Sequence, residues 1–433
     1  MPFEQGRTPR RSIAVIGAGI SGMGATYALA DANAVTLFEA EPRLGGHART
    51  VMAGKNGDQP VDTGFIVFNY ANYPNLTGLF DRLDVPVTKS KMSFGASVRG
   101  GAIEYGLNGA SAFFAQKRNA LNPMFLGMLR DIFNFNANAL DVARGQDLTI
   151  GELLSTMKLG RYFRDYYLLP FSGAIWSTPT EQILDFPADA MLRFFENHAL
   201  LGYDGQHQWY TVQGGSTAYV ERLNRAMQAQ GVVQRLGCPV QAVRRTPDGV
   251  EVKTPGADWQ WFDEVVFATH SDQALAMLSD ASEAERANLG AVAYQPNDVV
   301  LHADASVMPK RRAVWSSWNY AEAPRKREGQ IDVTYWMNAL QSFIPEDDPH
   351  FVTLNSTRPI RDELIYDQVT FGHPVFNLAA VSAQERVAMT NGTNNTWFCG
   401  AWMQNGFHED GLTSGLNVAN AILNKSNVML AAQ

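Results

Sequence analysis

The stretch Ser12-Ile13-Ala14-Val15-Ile16-Gly17-Ala18-Gly19-Ile20-Ser21-Gly22 decides the fold. Its opening, Ser12 to Ile16, is a short apolar run bounded by glycine, which predicts a buried parallel strand. The G-x-G-x-x-G spacing that follows leads into a helix expected over Ala25 to Ala30. Ala34 to Phe38 then predicts a second strand, ending at Glu39. Each position has a physical task in a dinucleotide-binding βαβ unit. Gly17 permits the tight turn, Gly19 lets a pyrophosphate approach the backbone, and Gly22 lets the helix pack closely. The helix N-terminus offers free N–H groups to the phosphates, with Ile20 and Ser21 among the contacting residues. Glu39, 22 residues after Gly17, is placed to accept bonds from ribose hydroxyls, with Ala40 beside it.

NAD and FAD both use this unit, so the next residues matter. Glu41-Pro42-Arg43-Leu44-Gly45-Gly46-His47-Ala48-Arg49-Thr50 carries a second glycine pair. Gly45 and Gly46 give another close approach of backbone to diphosphate, where Arg43 or Arg49 could add positive charge. The plainer alternative is a loop with incidental glycines and solvated arginines.

At 433 residues and ~150 residues per domain, two to three domains are expected. An apolar fraction of 45% with 18% charged residues excludes wholesale disorder and fibrous repeats. The net charge of −8 is opposite to that of a basic nucleic-acid binder. Two cysteines, Cys238 and Cys399, cannot build a disulfide framework, and a reducing, cytoplasmic setting is the expectation. N-terminal arginines before an apolar run imitate a signal peptide, but glycines interrupt a run that is already too short. No window approaches the ~20 apolar residues of a spanning helix. A soluble protein is expected, with attachment to the inner membrane surface left open. No Cys/His cluster has zinc spacing and no G-x-S-x-G elbow occurs, so no metal is expected.

Joined, these residues resemble the flavin-containing amine oxidase superfamily, which includes amine oxidases, phytoene desaturases and protoporphyrinogen oxidases. Two later segments carry the resemblance further. Gly237-Cys238-Pro239-Val240 to Val243, then Asp263 to Ala268 and Thr269, are similar to strands that return to the FAD domain, with Val240 near the adenine. Thr396 to Gly400 and Trp402, followed by Gly406-Phe407-His408-Glu409-Asp410-Gly411-Leu412, resemble the closing strand, glycine and helix that face the flavin pyrimidine. The resemblance implies noncovalent FAD and adds His47, Gly64, Phe65, Ala268, Gly400, Gly411 and Leu412 to its contacts. It also implies a Rossmann-like α/β FAD domain (1–77, 210–292, 391–433) and an inserted mixed α+β substrate domain with a helical cap (78–209, 293–390).

A bacterial subgroup, usually described only as predicted NAD/FAD-binding proteins, resembles the chain more closely. Its pattern is similar to Val61 to Asn69, Ala174 to Ser177, Trp209 to Ser216, and the His408-Glu409-Asp410-Gly411 string. One branch is implicated in furan fatty acid formation, which implies desaturation of a methyl-branched acyl chain. Departures from the amine oxidases point the same way. Their aromatic-cage Tyr is replaced at His408, and their flavin-facing Lys has no counterpart near Asn297 or Asp298.

Ser111 to Val142 is helical in pattern and rich in Phe and Met. Core packing is the first reading, an acyl tunnel or a membrane-surface helix the second. Gln341 to Pro349 is expected to be a solvated loop, as are the basic clusters Lys310-Arg311-Arg312 and Arg325-Lys326-Arg327, which could alternatively attract anionic lipid heads. His408 is the first candidate proton acceptor, since an ordinary imidazole pKa of ~6.5 suits that task. Glu409 and Asp410 are weaker candidates, with helix capping as their alternative. Trp176, Trp209 and Trp402 are candidate walls of an apolar substrate site. The expected substrate is a lipid or fatty acyl chain. Amine oxidation, double-bond isomerisation and non-enzymatic flavin-containing lipid binding are the competing readings.

Overall fold

The computed structural model describes residues 10–202, 206–323 and 331–431, with side chains to 425. The Arg325-Lys326-Arg327 cluster lies outside the described residues. A five-stranded parallel sheet runs in the order Val233–Arg235, Ala34–Phe38, Ser12–Ile16, Glu264–Phe267, Thr396–Phe398. Its strands Ser12–Ile16, Glu264–Phe267 and Thr396–Phe398 are buried on both faces, as their apolar character requires. The first helix spans Ile20–Leu29, five residues earlier than the apolar pattern suggests, because Gly19 itself is the N-cap.

The returning segment also differs from expectation. Gly237 to Gln241 is not a strand. The parallel strand lies just before it, and Ala242–Thr246 joins an antiparallel sheet with Gly249–Lys253 and Gln260–Phe262. A seven-stranded mixed sheet forms the second layer, from Ile365–Val375 through Ala293–His302 to Ile103–Gly106. Ser111 to Val142 divides into a short helix, a 3-10 turn and the cap helix Pro123–Ala143. Asn122 starts the cap helix by accepting from the Met124 and Phe125 N–H groups, with Pro123 at its first position. One face of that helix, Phe125, Met128, Ile132 and Phe135, enters the core of the second layer. Each such side chain contributes roughly 1.5–3 kcal/mol by leaving water.

The closing helix, His408–Ala431, packs on the first helix through glycine faces. A Cβ on Gly415 would lie 2.2 Å from the Ser21 carbonyl oxygen, and one on Gly24 2.4 Å from Leu412 Cδ1. Glu264, buried in the parallel sheet, joins the ends of the chain. Its carboxylate accepts from Arg11 (2.6 Å), Lys425 (3.1 Å) and Trp397 Nε1 (2.8 Å). No helix among the described residues is long and apolar enough to cross a membrane.

Two segments expected to be solvated are so only in part, with Glu346, Asp347, Lys310 and Arg312 exposed. Gln341 is fully buried and donates to Asp62 Oδ2 (2.7 Å), since its amide satisfies a buried carboxylate. Arg311 pairs with buried Glu104 (2.6 Å), and Arg312 lies over the rings of Trp315 and Trp336. The Arg311 charge is offset by Glu104, whereas Lys310 and Arg312 remain exposed.

Candidate flavin and substrate site

The glycine turn forms a cradle in which protein fills some positions and leaves one open. Gly17 has φ +101°, and a Cβ there would lie 2.7 Å from the Ala268 carbonyl oxygen. A Cβ on Gly22 would lie 1.8 Å from the Gly17 carbonyl oxygen, so helix and turn tolerate no side chain. Gly19 differs, since nothing lies within 4 Å of its would-be Cβ. No side chain caps the helix that begins there, so its first N–H groups remain available to an anion. Ile20 and Ser21 are turned under the closing helix, where a Cβ on Gly411 would meet both.

The Gly45 N–H donates to the Ala18 carbonyl (2.8 Å), which brings the second glycine pair against the first turn. A Cβ on Gly46 would lie 3.0 Å from Gly19 Cα. Glu39, at the end of its strand, accepts from the Ala18 N–H (2.7 Å) and the Glu41 N–H (2.9 Å). Gly237 and Cys238 N–H groups donate to the Glu41 and Glu39 carbonyls, which places the Val240 segment alongside Glu39, Ala40 and Glu41. These residues fit a bound dinucleotide: two tight glycine approaches, an uncapped helix N-terminus and a carboxylate at the ribose end. The arginines do other work. Arg43 holds the Gly46 carbonyl (2.9 Å), and Arg49 forms a bidentate pair with Asp367.

His47 follows the glycine pair, and its carbonyl accepts from the Phe65 N–H (2.8 Å). A Cβ on Gly64 would lie 1.9 Å from that carbonyl oxygen. Phe65 in turn stacks on His408, with centroids 3.9 Å apart and planes 10° from parallel. Residues from three distant stretches thus meet at one place. His408 Nε2 also shares a hydrogen bond with the Tyr219 hydroxyl (2.7 Å). Around His47 lie Phe371 (4.7 Å), His270 and His373 (5.9 Å each). His373 Nδ1 is 2.9 Å from the amide of Asn297, a fully buried residue that also donates to the Ser177 carbonyl.

Burial pushes His47 and His408 down to about 3 and His373 down to about 4. All three nonetheless keep intermediate accessible surface. The expectation of an ordinary imidazole at His408 is therefore corrected: desolvation holds it neutral. Glu409 accepts from the Asn75 (2.8 Å) and Leu76 (2.9 Å) N–H groups, capping the helix Pro74–Arg82. Asp410 accepts from the Phe407 N–H (2.8 Å) at the start of the closing helix, and burial pushes its carboxyl up to about 7.

Beside His408, Phe407 stacks on Phe194 (4.8 Å). Phe194 also meets Trp176 (4.9 Å) and His198 (3.9 Å), and His198 faces Trp209 (6.4 Å). Trp402 lies elsewhere: its indole donates to the Thr269 carbonyl, and its ring packs with Phe267 and Phe398 in the core. Sequence reasoning missed Tyr219, Phe194, His270 and His373. Trp176 and Trp209, expected as walls of an apolar site, do belong to this aromatic group.

The parallel sheet, the double-glycine cradle and the closing helix define a dinucleotide-binding oxidoreductase. The chain belongs to the flavin containing amine oxidoreductase family, whose model matches residues 20–369. It is accordingly a flavin-dependent enzyme with FAD as cofactor. In structure it is similar to an Exiguobacterium protein described as a candidate protoporphyrinogen oxidase, at TM-score 0.71 and 16% identity over 95% of this chain and 98% of that one. It is also similar to a fatty acid isomerase of P. acnes that produces CLA (TM-score 0.65, 15% identity, 96% and 98% covered). A third likeness is to cyclohexylamine oxidase of Brevibacterium oxydans (TM-score 0.67, 16% identity, 97% and 100% covered). At these identities the likenesses show the fold alone. No curated protein matches the chain.

Proposed function

We propose that the protein oxidises an apolar lipid, desaturating a methyl-branched, already unsaturated fatty acyl chain. The observation that carries this reading is the aromatic wall Trp176–Phe194–Phe407, which runs up to His408 beside the candidate flavin site. Such a wall buries apolar surface, which an acyl chain supplies. Bound noncovalently, FAD supplies the hydride acceptor. The Gly17–Gly22 turn, Glu39 and the Gly45-Gly46 pair would hold it. Phe65 and Tyr219 fix the orientation of the neutral His408 ring beside the site. Glu409 and Asp410 position the closing helix, and the aromatic wall excludes water.

Amine oxidation is less well supported, because Asn297 occupies the strand where a flavin-facing Lys would be expected and is engaged by Ser177 and His373. Isomerisation is the second reading, favoured by the likeness to a fatty acid isomerase. Product mass separates the two. FAD-loaded protein incubated with unsaturated methyl-branched lipids in air should yield a product lighter by one hydrogen pair, whereas a product of unchanged mass would replace desaturation by isomerisation.

A further inference from the structure

Two loops touch the glycine turn that receives the dinucleotide, and each carries a histidine. Gly46 lies against Gly19, its would-be Cβ 3.0 Å from the Gly19 Cα, and His47 is the next residue. Across the turn, the Ala268 carbonyl oxygen and the Thr269 methyl lie 2.7 Å and 3.1 Å from the would-be Cβ of Gly17, and His270 follows them. The His47 and His270 rings stand 5.9 Å apart with planes 30° from parallel, and His373 joins them 5.9 Å from His47. Three imidazoles from three separate segments therefore gather beside the cofactor cradle. None is sealed in the core, since each residue keeps intermediate exposure. Among the described residues, no hydrogen bond engages the His47 ring, which meets the rings of Phe371, His270 and His373.

The diphosphate of FAD brings negative charge, and the two arginines beside the second glycine pair are already matched with carboxylates. Arg43 Nε pairs with Glu41 (2.9 Å), and Arg49 holds Asp367 through two bonds (2.6 and 3.1 Å). The helix N-terminus at Gly19 offers only about half an elementary charge. The imidazoles are groups beside the turn that can become positive. Burial holds His47 down at about 3 and His373 at about 4, and lowers His270 as well. Neighbouring imidazoles, His408 included, and Arg43 also disfavour a proton on His47, while Asp272 favours one on His270. An anion ~4–6 Å away raises such a group by ~1–3 in pKa.

We propose that His47, His270 and His373 supply counter-charge to the FAD diphosphate by taking up protons from solvent as the cofactor binds. Each imidazole that charges takes one proton from water and returns it when FAD leaves. The flavin-free groups titrate low and the bound ones higher, so the added affinity is full below the bound value and fades as pH rises through it. Raising about 3 and about 4 by ~1–3 places that interval at roughly pH 5 to 7. FAD is the ligand whichever substrate the enzyme oxidises.

The test is release of flavin from the FAD-loaded full chain diluted into buffers across that interval, followed by flavin fluorescence. Circular dichroism confirms that the protein stays folded. The FAD Kd should rise about tenfold between about pH 5 and about pH 7, the equivalent of one linked proton over one pH unit. His47→Gln with His270→Gln should weaken binding at the acid end and cut that rise to less than ~3-fold. His47→Arg carries a fixed charge and should hold FAD at about pH 7 nearly as tightly as the unsubstituted protein does at about pH 5. Lost packing alone would weaken FAD equally across the interval and leave the rise intact. A Kd that is flat, or that falls as pH rises, overturns the inference. So does a tenfold rise that survives in the double Gln variant.

Discussion

At the scale of single residues, the site depends on groups held neutral by burial. Desolvation places the His408 imidazole at about 3 and holds the Tyr219 phenol well above its ordinary range. One hydrogen bond therefore links two uncharged groups. Tyr219→Phe keeps the packing and removes that bond, so it should cost ~1 kcal/mol of stability and slow flavin reduction by substrate ~5-fold. Chemical denaturation and stopped-flow absorbance measure the two effects separately. Glu409→Ala should cost ~1–2 kcal/mol, because two N–H groups at the start of Pro74–Arg82 lose their acceptor. His408 and the glycines were legible in the sequence because their tasks are local, a turn or a helix start. Tyr219, His270 and His373 were not, since their meaning arises only when segments far apart in sequence meet. Nor does spacing reveal desolvation, which is why His408 looked like an ordinary base.

At the scale of elements, the first and closing helices form the support of the cofactor cradle. Two glycines separate its two functions. Gly415→Ala places a methyl group 2.2 Å from the Ser21 carbonyl oxygen and should destabilise the helix pair by ~1–3 kcal/mol. Gly19→Ala meets no protein atom within 4 Å and has an ordinary extended conformation. It should leave the melting temperature of the flavin-free protein unchanged while sharply weakening FAD binding, as followed by flavin fluorescence. The strand Ser12–Ile16, the turn and the second strand were readable because apolar period and glycine spacing are local signals. The return near Gly237 misled because two short apolar runs there join different sheets, and only tertiary pairing decides which. The two-faced cap helix illustrates the same limit. Its composition announced apolar side chains, but not that Met124 and Phe133 would face outwards.

At the scale of the whole molecule, one carboxylate ties the distant layers. Asp62 accepts from Thr50 (2.6 Å), Ser216 and Gln341, and burial raises it to about 6. The pH response follows from the balance of such groups. His47, His302, His373 and His408 stay neutral down to about 3–4 when folded but bind a proton near 6.5 when unfolded. Each therefore removes stability as pH falls below 6.5. Asp62 and Asp410 act oppositely, since folding raises them from 3.8 to about 6 and 7. Four histidines outweigh two acids, so the flavin-free protein should melt at lower temperature near about pH 5 than near about pH 7. Calorimetry across that interval checks the sign.

The central claim is that the flavin of this protein takes its electrons from an apolar lipid. Anaerobic mixing of the FAD-loaded enzyme with unsaturated methyl-branched lipids, and separately with amines, tests it most directly. Bleaching of the oxidised flavin band by the lipids alone is the predicted result. Bleaching by amines, with the lipids inert, would contradict it.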